Sequence, residues 1–206
     1  MAEKYRDHDL GPNRELTVRK DTGLLTAVNL GAVPTAVADY VTAEERGDGV
    51  VHQTVLTLAS CPVSITDEAG VVAYGGVKLY DMPEGAWTLL GAVADLDIST
   101  TGSGINATFD GDVAMGTVTA SNNATLSSTE ANIIPSTATP QAVGGATTAD
   151  GVSTTALLAT FDGTATASDI YLNFVIDDAD HNVGAGPAGL SVTGTIKITW
   201  IYLGDK

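Results

Sequence analysis

Residues 196–201 read Ile-Lys-Ile-Thr-Trp-Ile and alternate between two kinds of side chain. Ile196, Ile198 and Trp200 fall on one side of an extended chain, opposite Lys197. Because successive residues of a β-strand point to opposite faces of a sheet, the alternation predicts a strand with one buried and one exposed face. The pattern lies within a longer run rich in β-branched residues, and we expect that whole run to form one strand.

Similar segments recur along the chain at intervals of roughly ten residues, between turns rich in Gly, Asp and Asn. No long stretch has the 3.6-residue period of an amphipathic helix. Both features are typical of sandwiches and barrels, so we predict an all-β fold, a jelly-roll-like β-sandwich. The predicted strands are 51–58, 63–66, 71–74, 77–80, 87–100, 105–109, 113–120, 157–161, 170–176 and 190–203.

Two parts of the chain lack this pattern. We predict that residues 1–50 form an extended N-terminal arm, in which 41–48 is a short helical turn or a loop, and that 51–206 is the sandwich body. Residues 121–153 are mostly Ala, Thr, Ser, Asn, Gly and Pro, and they are too numerous for an ordinary loop. We therefore predict a long excursion across the surface, which a neighbouring subunit could order.

The chain is strongly acidic. Its 206 residues include 25 Asp and Glu against nine Lys and Arg, and no Lys or Arg lies between Lys78 and Lys197. Such a surface cannot neutralise nucleic-acid phosphates and is repelled by anionic lipids. No apolar run approaches the roughly 20 residues that span a bilayer. We therefore expect no nucleic-acid or membrane partner. A protein partner should be neutral or basic, or should meet the mixed-charge N-terminal segment.

The densest polar cluster is 177–182, Asp-Asp-Ala-Asp-His-Asn. Carboxylate oxygens at this spacing can hold Ca²⁺, so Asp177, Asp178 and Asp180 are weak candidates for a cation site. The cluster lacks the Gly and the distal Glu of an EF-hand loop, and a solvated acidic turn closing a strand is the favoured interpretation. We predict neither a metal nor a cofactor.

Two carboxylate pairs, Asp95 with Asp97 and Asp110 with Asp112, resemble the acids of glycoside hydrolases. Those acids must face each other across a cleft, about 5–9.5 Å apart, whereas strand and turn positions explain these pairs more simply. The three histidines show no metal-binding spacing, and Cys61 is expected to be a buried, inert thiol. We predict no catalytic residue and expect the protein not to be an enzyme.

Three stretches resemble the head decoration, or cement, proteins of tailed double-stranded-DNA bacteriophages. The first joins Val-Lys-Leu-Tyr-Asp-Met-Pro-Glu-Gly at 77–85 to Leu-Gly-Ala-Val-Ala-Asp-Leu at 90–96. The second is Asp-Ile-Tyr-Leu-Asn-Phe-Val-Ile-Asp-Asp at 169–178, and the third is Thr-Gly-Thr-Ile-Lys-Ile-Thr-Trp at 193–200. The resemblance covers residues 75–206 and consists of strand and turn patterns, without catalytic residues.

This resemblance implies a structural virion protein on the outer capsid surface. Such proteins are β-sandwich or jelly-roll trimers that bridge neighbouring major capsid proteins, so the expected partners are the major capsid protein and further copies of the chain. The alternative is a head-fibre or receptor- or carbohydrate-binding β module on the virion, which needs exposed aromatic residues. Trp87 and Trp200 are expected in the core instead. A third possibility, a glycan-degrading enzyme, needs both carboxylate pairs in one cleft.

Overall fold

A computed structural model of the chain describes residues 30–47, 50–66, 73–154, 159–177, 180 and 186–204. Within these ranges both helices are three-residue 3-10 turns, Thr35–Val37 and Ser128–Glu130, and neither has the length or the apolar run of a membrane-spanning helix. The strands are β1 (Val41–Gly47), β2 (Val51–Ser64), β3 (Ala73–Tyr80), β4 (Gly85–Gly102), β5 (Gly111–Gly116), β6 (Ile134–Thr139), β7 (Ala146–Val152), β8 (Thr160–Gly163), β9 (Ile170–Ile176) and β10 (Ala188–Gly204).

The strands form two antiparallel sheets packed against each other, which confirms the predicted β-sandwich. The large sheet has the order β1-β2-β10-β4-β7, and β8 also pairs with β4. The small sheet has the order β3-β9-β5-β6. The β1 and β3 edges lie on one side of the sandwich, where β2 contacts β3, and β6 contacts β7 on the other.

The central strand of the large sheet is β10, as its alternation predicts. Ile196, Ile198 and Trp200 are fully buried between the sheets, while Lys197 is exposed on the other face. The neighbouring strands β2 and β4 show the same two-residue alternation of buried and exposed side chains, so one continuous apolar core fills the sandwich. Long strands with a strict two-residue period specify their register, because a one-residue slip would expose every buried side chain.

The interpretation of residues 41–48 as a turn or loop is wrong, because Val41–Gly47 is strand β1 and pairs along its whole length with β2. The sandwich therefore begins before residue 50. Residues ahead of β1 also join it, since Ala32 and Asp81 exchange two backbone hydrogen bonds of 2.9 and 2.7 Å. The rest of the predicted arm, residues 1–29, lies outside the described residues.

The interpretation of residues 121–153 as one long loop is also wrong. This stretch contains a 3-10 turn and the strands β6 and β7, and β7 pairs with the second half of β4. The inward residues of β7 are Thr147, Ala149 and Gly151, and Ile134 of β6 packs where a side chain on Gly151 would lie. Such small inward residues give a weak apolar signal, so composition alone concealed the strand.

The segment between β5 and β6 is held in place by its own chain. Asn173 of β9 is fully buried, and its side-chain amide donates to the carbonyl oxygens of Val118 (2.9 Å) and Glu130 (2.8 Å). Its Oδ1 accepts the Ala120 N–H at 2.8 Å. The Glu130 carboxylate in turn accepts both the N–H (2.8 Å) and the hydroxyl (2.5 Å) of Ser121. This segment therefore needs no neighbouring subunit to order it.

Three local predictions also differ from the structure. Gly75-Gly76 was expected to join two strands, 71–74 and 77–80, but it lies inside the continuous strand β3. Cys61-Pro62 was expected to end or kink the strand before it. Strand β2 is irregular at Ser60, where φ is 54° and the register with β10 shifts, but it continues through Pro62. Pro62 lies beyond the residues paired with β1, so its missing N–H is tolerated. Residues 105–109 form a turn rather than a strand.

Candidate interaction surface

The outer face of the large sheet carries exposed apolar side chains near its β7 edge. Leu90 and Val93 of β4 are 43% and 48% exposed, and Val152 of β7 is 60% exposed. Val93 and Val152 are direct cross-strand partners, and all three line one shallow depression. We call Leu90, Val93 and Val152 the apolar patch. A group of exposed apolar residues of this kind is typical of a contact surface.

Three carboxylates lie beside the apolar patch on the same face. Asp95 of β4 is directly opposite Asp150 of β7, and Asp97 follows on β4, opposite Thr148. All three are exposed, and no ion pair within the described part of the chain involves them. Like charges directly opposite each other destabilise a sheet. We call Asp95, Asp97 and Asp150 the acidic trio.

Cations on the outer face are few. Arg46 of β1 forms an ion pair with Glu44 at 2.9 Å, and the hydrogen bonds that it donates to that carboxylate raise the pKa of Arg46. Lys197 of β10 is exposed between Val55 and Val93, its cross-strand neighbours. The β4–β7 part of the face is therefore acidic and apolar, with one lysine at its border.

The two predicted carboxylate pairs lie on different sheets. Asp95 and Asp97 are on the outer face of the large sheet, whereas Asp112 is on β5 of the small sheet and accepts the Ser136 hydroxyl at 3.0 Å. Asp110 directly precedes β5. The structure does not bring the four carboxylates into one cleft.

The acidic turn after β9 folds back onto the residues before β5. The Asp180 carboxylate accepts the Asp110 N–H at 3.2 Å, and its own N–H donates to the Asp177 carbonyl at 2.9 Å. Hydrogen bonding with the Asp180 carboxyl raises the pKa of Asp110, which is half-buried. Asp178 lies outside the described residues. Among the residues that are described, no three His, Cys, Asp or Glu side chains come together as a metal site.

A buried polar cluster, which the sequence did not indicate, lies between the sheets. The Glu45 carboxylate accepts hydrogen bonds from the Tyr80 hydroxyl (2.9 Å) and the Leu30 N–H (3.1 Å), and it lies 2.5 Å from His52 Nδ1. Burial, followed by the charge of Glu45, raises the pKa of Tyr80. The His52 ring stacks on Trp200 at 4.6 Å. We call Glu45, His52 and Tyr80 the Glu45 cluster; it connects β1, β2 and β3 to the start of the described chain.

The remaining candidates are core residues. Cys61 is fully buried, as predicted, and burial raises the pKa of its thiol to about 11. Trp87 and Trp200 are also fully buried, with ring centroids 6.2 Å apart, which confirms the prediction that they anchor the core. His8 and His181 lie outside the described residues.

The outer face of the large sheet is the described surface best suited to binding another molecule. Apolar side chains there can be covered by a partner, and the neighbouring carboxylates would favour a basic one. No protein-family model matches the sequence, and no curated protein is significantly similar to it.

Proposed function

We propose that this protein is a structural virion protein that decorates and cements the capsid of a tailed double-stranded-DNA bacteriophage. It would sit on the outer capsid surface as a homotrimer and bridge neighbouring major capsid proteins, without a cofactor. The observation that carries the proposal is the resemblance to cement proteins in three stretches of sequence. Those stretches contribute to strands that pair with each other, β3 with β9 and β4 with β10.

The architecture supports this role physically. A cementing subunit must keep its shape while it is pulled between neighbours, and long paired strands around one continuous core resist deformation. Strands β4 and β10 have 18 and 17 residues and pair along most of their length. The net charge of −16 keeps copies soluble when they are crowded together, and it favours a neutral or basic shell as the partner.

The alternative role, a receptor- or carbohydrate-binding module, has less support. A glycan platform uses exposed aromatic rings, and neither tryptophan is exposed. Tyr40 is partly exposed, but no other described ring contacts it. No described feature therefore favours this role over cementing.

The copy number of the protein in purified virions tests the proposal. We expect hundreds of copies per particle, by quantitative mass spectrometry, because a shell protein follows the capsid lattice. Particles lacking the protein should release their DNA at a lower temperature than complete ones, and adding the purified protein back should restore the difference. A handful of copies per particle, or equal heat resistance of complete and depleted particles, would contradict cementing.

A further inference from the structure

We infer that the apolar patch and the acidic trio together bind residues 14–20 of a second copy of this chain. The inference rests on the self-association contained in the proposed function, and it names the surface and the segment that meet. It concerns contacts between copies only, so it can be tested on the purified protein without any capsid.

The distribution of charge favours this pairing. Residues 1–29 carry five Lys and Arg and five Asp and Glu, so they are neutral overall. Residues 30–206 carry only four Lys and Arg against twenty acids, which places the entire net charge of −16 on them. Two such bodies repel each other at close range. The first 29 residues hold most of the cations with which one copy can approach the acidic face of another.

The second half of this segment matches the order of residues on the face. Residues 14–20 read Arg-Glu-Leu-Thr-Val-Arg-Lys, so that an extended conformation would place Arg14, Leu16, Val18 and Lys20 on one side. Along β4 the sheet presents Leu90 and Val93 of the apolar patch and then Asp95 of the acidic trio. Leu16, Val18 and Lys20 follow the same order of two apolar residues and a charge, whereas Arg14 would extend beyond the apolar patch. Residues two apart in an extended chain are separated by about 6.6–6.8 Å, which is also the step from Val93 to Asp95 along β4.

The position of residue 30 lets the segment reach a second copy. The Leu30 N–H is bonded to Glu45 of β1, and Ala32 is bonded to Asp81, just after β3. The chain therefore enters the sandwich at the β1–β3 side, whereas the apolar patch lies near the β7 edge, at the opposite end of the large sheet. In a ring of copies, the β1 edge of one faces the β7 edge of the next, and such a head-to-tail contact can close into a trimer. The nine residues 21–29 can extend about 30 Å, which is enough to cross the boundary between two copies.

Disulfide trapping between two different chains provides the first test. One chain carries Val18→Cys and the other Val152→Cys; the native Cys61 is buried in both. After mixing and mild oxidation, we expect a covalent heterodimer on a non-reducing gel. The matched control replaces Val152→Cys with Ala138→Cys, which is exposed on β6 of the small sheet and should give little heterodimer.

Charge reversal provides the second test, by sedimentation equilibrium. Asp95→Lys combined with Asp150→Lys should weaken self-association about tenfold, because the contact of Lys20 with these two neighbouring carboxylates becomes repulsive. Adding Lys20→Glu to the same chain should restore it. Lys197→Glu replaces a cation with an acid on the same face, so it should strengthen self-association. High salt should reduce the effect of every one of these charge changes. Circular dichroism shows whether each variant is folded.

Several results would overturn the inference. These are equal trapping by the control cysteine, closure of a Val18→Cys/Val152→Cys chain on itself with no heterodimer in the mixture, or a protein that is monomeric at every concentration. Charge reversals without effect in a folded protein would count equally against it. If trapping succeeds but the protein is absent from virions, the capsid role fails and the contact between copies stands. If virions contain the protein but trapping fails, the proposed contact between copies fails and the capsid role stands.

Discussion

Replacing Glu45 with alanine removes the acceptor of the buried hydrogen bonds of the Glu45 cluster. The Tyr80 hydroxyl, the Leu30 N–H and the His52 ring, which lie 2.5 to 3.1 Å from the carboxylate, all lose this acceptor at once. The Glu45 side chain that these groups surround is fully buried, so water does not readily take its place as an acceptor. We expect Glu45→Ala to be among the most destabilising single substitutions in the chain.

The magnitude follows from the number of donors left without an acceptor. Each buried donor that loses its partner costs about 1–3 kcal/mol. The Tyr80 hydroxyl and the His52 ring are buried, whereas the Leu30 N–H is only part-buried, so the substitution should lower the free energy of unfolding by about 2–6 kcal/mol. Tyr80→Phe removes one donor and leaves the carboxylate its other partners, so it should cost about 1.5–3 kcal/mol. In the Glu45→Ala background, Tyr80→Phe should cost much less, because the bond it removes is already gone.

Urea unfolding followed by tryptophan fluorescence measures these free energies. Glu44→Ala is the matched control: it removes a carboxylate from the same strand, but one that points outward and is largely exposed. Its cost should stay within about 0.5–1 kcal/mol. If Glu45→Ala cost less than about 1 kcal/mol, or no more than the control, the reasoning about the Glu45 cluster would be refuted.

Three further predictions concern other parts of the molecule. Asn173→Ala should lower the free energy of unfolding by about 3 kcal/mol, since three hydrogen bonds are lost. Amide hydrogen exchange should become faster specifically in residues 117–132, and an equal increase throughout the protein would contradict the role of Asn173. Asp110→Asn should raise Tm at pH 7, because it removes a charged carboxyl that lies beside Asp180. Near pH 3 this gain in Tm should vanish, because the raised pKa of Asp110 leaves the native carboxyl protonated there; a gain independent of pH would contradict the coupling of the two carboxyls. Because the pKa of Cys61 is raised to about 11, Ellman's reagent at pH 8 should label the folded protein at least about a hundredfold more slowly than the unfolded chain, and equal rates would show an accessible thiol.

The sequence predicted the strands whose alternation is strong and uninterrupted. Strand β9 was predicted at its observed bounds and β10 within two residues of them, because large apolar residues recur at most of the inward positions. Strand β1 was missed because Glu45 occupies an inward position, where a charged residue breaks the apolar pattern. The burial of Glu45 depends on Tyr80, 35 residues away, and on Leu30. Local sequence patterns do not predict partners so distant in the chain.

The interaction surface was harder to predict for a related reason. The sequence shows that Asp95 and Val93 are outward-pointing, but not that Asp150 and Val152 lie beside them. That neighbourhood depends on β7 pairing with β4, and β7 lies in a stretch whose small residues suggested a loop. Long-range pairing of strands, rather than local propensity, creates the patch.

The bonds at Leu30 and Ala32 also have a mechanical consequence. A pull applied through residues 1–29 would reach the folded body at these two residues. Leu30 is bonded to β1 in the large sheet, and Ala32 is bonded to Asp81, next to β3 in the small sheet. Tension would therefore be divided between both layers at the point of entry, instead of peeling a single edge strand away.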